Sequence, residues 1–167
     1  MSSPSQTESE SKRLTTAKAL ITHLSALDTS SLAALFSDSL KHEFRPSSIS
    51  VALPTPLTKE SYLGFLSNLA SVMTTLPFTI KDIVESEKDN KVVLWASSRA
   101  NFRDELKDDE GVGEEGWEFE AEYVFILTMD GEGRIVHLVE FMDILATVER
   151  AVKLLEQAGK NLAKVQS

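Results

Sequence analysis

One run of this chain brings together His137, Glu140 and Asp143, groups that can move a proton. Residues 131–143 read GEGRIVHLVEFMD, a glycine-flanked turn followed by an apolar strand that carries His137 and Glu140 and ends at Asp143. That aspartate also reads as the N-cap of a last helix, where a side-chain oxygen satisfies free backbone N–H groups. His137 and Glu140 lie three apart, so strand alternation sends them to opposite faces and at most one can enter a pocket. Alternation groups His137 with Ile135, Val139 and Phe141, and Glu140 with Val136, Leu138 and Met142. Both sets are apolar, which predicts a strand covered on both sides. Whichever of His137 and Glu140 is buried needs a hydrogen-bond partner.

Upstream, His42 and Asp38 sit where a short helix gives way to a strand. A histidine near its ordinary pKa is a natural proton shuttle, although on a strand edge His42 is merely a polar residue. Trp95, Arg99 and Asn101 share one face of another strand and suit an oxygenated, ring-shaped ligand. The alternative makes Trp95 core and pairs Arg99 with Glu120 or Glu122 across the sheet. Tyr62, on a helix, can donate a hydrogen bond into a cavity or sit at the core edge.

Other chemistry is absent from the sequence. There is no cysteine, which excludes disulfides, thiolate catalysis and Cys-ligated metals. The histidines His23, His42 and His137 are scattered, without HxH or HExxH spacing, so no metal site is expected. No GxSxG, phosphate-binding loop or dinucleotide fingerprint occurs. A site that needs no cofactor, or no catalytic site, is the expectation.

The elements that must position these residues follow from periodicity. Ser11 caps a helix with Leu14, Ala17, Ile21, Leu24 and Leu27 on one face. Asp28 to Ser31 breaks it and starts a short second helix, which leads into a short strand near residues 37–46. Thr58 caps a third helix bearing Tyr62, Phe65, Leu66, Leu69 and Met73. From Phe78 the period becomes two, with strands to about Glu87, from Lys91 to Arg103, from Trp117 to Met129, and over the run already described. Asp130-Gly131-Glu132-Gly133 is a hairpin signal. Asp143 starts a helix with Leu145, Val148, Val152 and Leu155 as its stripe, and Gly159 reads as its stop. Helices followed by a strand meander mean an α+β fold. We expect a cone-shaped, strongly curved antiparallel sheet wrapped around the N-terminal helices, with a C-terminal helix.

The chain of 167 residues carries a net charge of −9, but that charge is local. Residues 104–122 hold ten acids against one base, so the remainder is balanced. Without a basic stripe, nucleic-acid binding is not expected, and no run reaches a membrane span. The acidic stretch 104–116 reads as a solvated connection or as a flap over the cone mouth. Residues 1–11 are expected to form a disordered tail with no signal or transit character, 12–158 a single domain, and 159–167 a C-terminal tail. A cytoplasmic protein follows.

Three segments resemble the nuclear-transport-factor-two-like superfamily, and within it the SnoaL-like polyketide cyclase and ketosteroid-isomerase-like group. They are LDTSSLAALFSDSLKHEF, TKESYLGFLSNL and DGEGRIVHLVEFMD. The resemblance covers about residues 12–158. It implies proton-transfer chemistry in an apolar cone, with His42 and Asp38 in the region that supplies a general base and Asp143 as an acid at the rim. Tyr62, Trp95, Arg99, His137 and Glu140 would then contact substrate. The expected activity is a cofactor-independent isomerase, cyclase or dehydratase acting on a hydrophobic, oxygenated metabolite of polyketide or terpenoid type. A non-catalytic ligand-binding or homodimerisation domain is the alternative.

Overall fold

Local signals fix the first helices. Ser11 accepts a hydrogen bond from the Leu14 N–H (3.1 Å) and starts α1 (Lys12–Ala26), which buries Ala17, Leu20, Ile21 and Leu24 at helical spacing. Leu27 ends α1 in the left-handed region, φ 52°, with its N–H turned back to the last-turn carbonyls. Asp28 caps α2 (Thr29–Leu35) and Thr58 caps α3 (Lys59–Val72). In the computed structural model the described residues are 10–108, 112 and 116–166. Most of the expected disordered tail, residues 1–9, lies outside them.

The strands are β1 (Phe36–Arg45), β2 (Met73–Thr75), β3 (Phe78–Ser86), β4 (Lys91–Arg99), β5 (Asn101–Phe102), β6 (Glu120–Met129) and β7 (Ile135–Met142). Five of them form one sheet in the order β1-β7-β6-β4-β3, and β2 pairs with β5 in a small second sheet. The β3-β4-β6-β7 portion is the expected antiparallel meander. The strand expected to be short spans ten residues and lies parallel to β7 at the sheet edge. The long strand expected over 91–103 breaks at Ala100, whose N–H turns to the Phe119 carbonyl.

Between β6 and β7 the Asp130 side chain accepts the N–H groups of Glu132 and Arg134, both at 2.9 Å. Gly133 sits there at φ 80°, a conformation that suits glycine, with the Lys12 side chain against it. Just beyond, a register shift between Met129 and Thr128 leaves Val136 as an extra residue. Ile135 therefore turns inward with Leu138, Glu140 and Met142 instead of joining His137, Val139 and Phe141.

α1 packs over β3 and β4, and α3 over β1. The inner sheet face supplies Phe44, Leu94, Phe125, Leu127 and Leu138, all essentially buried. Removing one such side chain to alanine costs about 2–5 kcal/mol.

The last helix departs most from expectation. A short α4 (Ile144–Ala146) leads into a π turn, Thr147–Ala151, and then α5 (Val152–Gln166). The wider turn moves the buried face to Thr147, Ala151, Leu154, Ala158 and Asn161 and leaves Leu145 exposed. α5 runs through Gly159, because Ala158 and Asn161 are buried on either side of it. Asn161 donates to the Leu106 carbonyl (2.9 Å) and to Asp108 (2.7 Å).

Candidate active site

The parallel pairing of β1 with β7 creates the site. His42 lies opposite Leu138, and Phe44 opposite Glu140, so one strand's histidine and the other's glutamate project inward side by side. His42 Nε2 is 3.0 Å from Glu140 Oε2, and both residues are buried. From α3, the Tyr62 O–H donates to the same oxygen at 3.2 Å. The imidazole is stacked on the Tyr62 ring, 3.8 Å between centroids, with the Phe44 ring edge-on at 4.4 Å.

That geometry fixes the division of labour. His42 Nδ1 is buried and has no hydrogen-bond partner among the described residues. A proton on Nε2 would be donated to Glu140, whereas a proton on Nδ1 would be a buried donor without an acceptor among the described residues. Glu140, in contrast, lines a cavity together with Tyr62, Phe44, Phe65, Tyr123 and Thr147. Among the described residues its Oε1 accepts no hydrogen bond. The cavity is mostly leucine, phenylalanine and methionine. Its volume is about 70 Å3, rising to about 630 Å3 when space continuous with solvent is included. The first figure is below the few hundred Å3 of a typical ligand pocket, so a metabolite would occupy the space that continues to the mouth.

Two tyrosines line this space. Burial, reinforced by the Glu140 charge, pushes the Tyr62 hydroxyl well above its usual range and the Tyr123 hydroxyl up in the same way. Both stay protonated as donors at neutral pH.

No protein-family model matches the chain, and no curated protein matches it in sequence. Solved structures do match. AusH from Aspergillus nidulans aligns at 25% identity over 81% of this chain and 86% of its own, with a TM-score of 0.64. PrhC from Penicillium brasilianum NBRC 6234 aligns at 20% identity over 92% and 95%, with a TM-score of 0.71. BvnE pinacolase from Penicillium brevicompactum aligns at 17% identity over 93% and 97%, with a TM-score of 0.68. The chain has the nuclear-transport-factor-two-like fold, as the resemblance implied.

Within this nuclear-transport-factor-two-like cone the other expected site residues lie away from the cavity. Asp38 is exposed and paired with Lys59 (2.9 Å), whose ammonium holds the carboxyl below its usual range. Asp143 caps α4 by accepting the Ala146 N–H (3.1 Å) and is exposed. Trp95, 44% exposed, and Arg99 lie on the outer face of the sheet. Arg99 pairs with Glu118 (2.7 Å) and with its register partner Glu120 (3.5 Å). His137 also faces outward, because the strand that carries Glu140 inward must carry His137 out. Strand alternation separates Trp95, Arg99 and His137 from the cone, while Asp143 serves the helix N-terminus and Asp38 pairs with Lys59.

Sequence reasoning passed over Tyr123 and Thr147. A tyrosine among the inward positions Phe119, Ala121 and Phe125 is a usable signal for the first. Thr147 had none, since its orientation depends on the π turn. Of the acidic stretch, Asp104–Leu106 forms a 3-10 turn, and Leu106 and Val112 are buried. Arg150 donates to the carbonyls of Val112, Gly116 and Glu118. Residues 109–111 and 113–115 lie outside the described set, so the flap reading falls partly there.

Proposed function

We propose that the protein is a small-molecule enzyme of the isomerase, cyclase or dehydratase type. It acts by proton transfer on a hydrophobic, oxygenated metabolite of polyketide or terpenoid character. The observation that carries this reading is the Glu140 carboxylate at the wall of an apolar cavity, held on one oxygen by His42 and Tyr62, with no hydrogen bond to the other among the described residues. The pinacolase among the similar structures is in keeping with chemistry on such substrates.

In the proposed step, Glu140 Oε1 takes a proton from a carbon next to a carbonyl, and the electron pair moves onto the carbonyl oxygen. The Tyr123 O–H is the donor available to that oxygen. Return of the proton to a different carbon gives an isomer; its delivery to a departing hydroxyl gives water and a dehydrated product. His42 and Tyr62 hold the carboxylate in one orientation throughout. These steps draw on side chains alone.

Exchange of the α-hydrogens of cyclohexanone in D2O, followed by NMR, tests the reading. The wild-type protein should accelerate it, and Glu140→Gln should lose about a hundredfold or more of that acceleration with its fold intact. Equal rates for the two proteins would sink the assignment.

The outer sheet face supports a second element of the reading. Val84, Val93, Trp95 and Phe141 are exposed there, and a second copy of the chain packed sheet to sheet would cover them. Light scattering at micromolar concentration should give twice the chain mass; a clean monomer counts against it.

A further inference from the structure

Thr147 is 5% exposed, lines the same cavity as Glu140, and its hydroxyl oxygen is buried without a hydrogen-bond partner among the described residues. In a regular helix a threonine hydroxyl bonds the carbonyl three or four residues back. Here the Asp143 carbonyl receives the Thr147 N–H at 2.9 Å, and the hydroxyl has no partner among the described residues. The cause is local. Thr147 opens the π turn, its carbonyl accepting the N–H of Val152 five residues on, and this widening sets which side chains face the cone. Valine has nearly the same shape and would carry no desolvation penalty at this site. An unpartnered hydroxyl at a buried, cavity-lining position that valine would fill equally well points to a ligand that bonds it.

We infer that Thr147 is a specificity-determining residue whose O–H donates to a carbonyl oxygen of the substrate, which selects cyclic ketones over hydrocarbons of the same shape. Tyr123, which lines the same cavity outside the Glu140 cluster, would supply a second donor for an oxygen with two lone pairs. The ligand is then an alicyclic compound with an oxygen at the helix side and a reactive carbon within reach of Glu140. The inference deepens the proposed function and rests on it for the reactive carbon, but the ketone preference stands independently of turnover.

Cyclohexanone and methylenecyclohexane, which differ by an oxygen against a CH2 group, are the probes, titrated by NMR. Wild type should bind the ketone more tightly. Thr147→Val should lose about three- to tenfold of ketone affinity, leave methylenecyclohexane binding unchanged, and raise the melting temperature. Thr147→Ser should keep the preference. An unchanged ketone affinity in Thr147→Val overturns the inference. So does a wild-type protein that shows no preference, including one that binds neither probe, and so does a lowered melting temperature in Thr147→Val. Glu140→Gln separates the two proposals: it should abolish hydrogen exchange while ketone binding persists.

Discussion

Strands β1 and β7 each contribute one histidine and one glutamate, and the sheet sorts them into two pairs on opposite faces. On the inner face, His42 and Glu140 meet at 3.0 Å among Tyr62 and Phe44. On the outer face, His137 stands 3.8 Å from Glu43, which is already gripped by Lys41 and Arg45. The chemistry diverges accordingly. The two cations hold the Glu43 carboxyl down at about 2, so it is a fixed anion at any ordinary pH and cannot serve as a base. Glu140 has no lysine or arginine partner among the described residues. Its hydrogen bonds come from an imidazole and a phenol, and its free oxygen borders apolar space. Identical residue types thus give a structural ion cluster on one face and a candidate base on the other. The difference lies in the neighbours, not in the pair.

The comparison can be broken first at His42. His42→Ala should remove about 3 kcal/mol of stability, through the cavity left between Phe44 and Tyr62 and the lost hydrogen bond to Glu140. Urea unfolding measures this. A loss below about 1 kcal/mol would mean that the inner pair is no better integrated than the outer one.

A smaller effect sharpens the outer side. Because the folded Glu43 carboxyl sits at about 2 against an ordinary 4.5, the unfolded chain binds the proton more readily. The stabilisation from Glu43 is therefore present above pH 4.5 and is lost as pH falls toward 2. Its size at neutral pH should be below about 1 kcal/mol, since Lys41 and Arg45 are themselves more than a third exposed. The stability difference between wild type and Glu43→Gln should shrink across that acid window. A difference that stays constant from pH 6 to pH 2.5 would show that the cations do not act on this carboxyl.

Much of this was legible from the chain because the signals were local. Ser11, Asp28, Thr58 and Asp143 all cap helices where their types and positions suggested, and Asp130 to Gly133 makes the hairpin. The alternation that forbids His137 and Glu140 a common face also holds, with Glu140 the one turned in. His42 was recognised as a candidate, but as the proton carrier. The structure sets it against Glu140, with Nδ1 buried and without a hydrogen-bond partner among the described residues. Gly159 failed as a stop signal because burial of Ala158 and Asn161 outweighs the modest cost of glycine inside a helix.

The caps, the turn, the period of the strands and hence the α+β class each depend on residues a few positions apart, so the chain carries them locally. The rest comes from long-range packing. The bond between His42 and Glu140 joins residues 98 positions apart, through a parallel pairing that no local pattern encodes. It exists because closing the sheet over α1 and α3 sets β1 beside β7 in a register that points both side chains inward. The orientation of Thr147 is likewise a product of packing. A π turn shifts every residue after it by a fraction of a helical turn, and hydrophobic spacing alone carries no sign of where that extra residue is inserted.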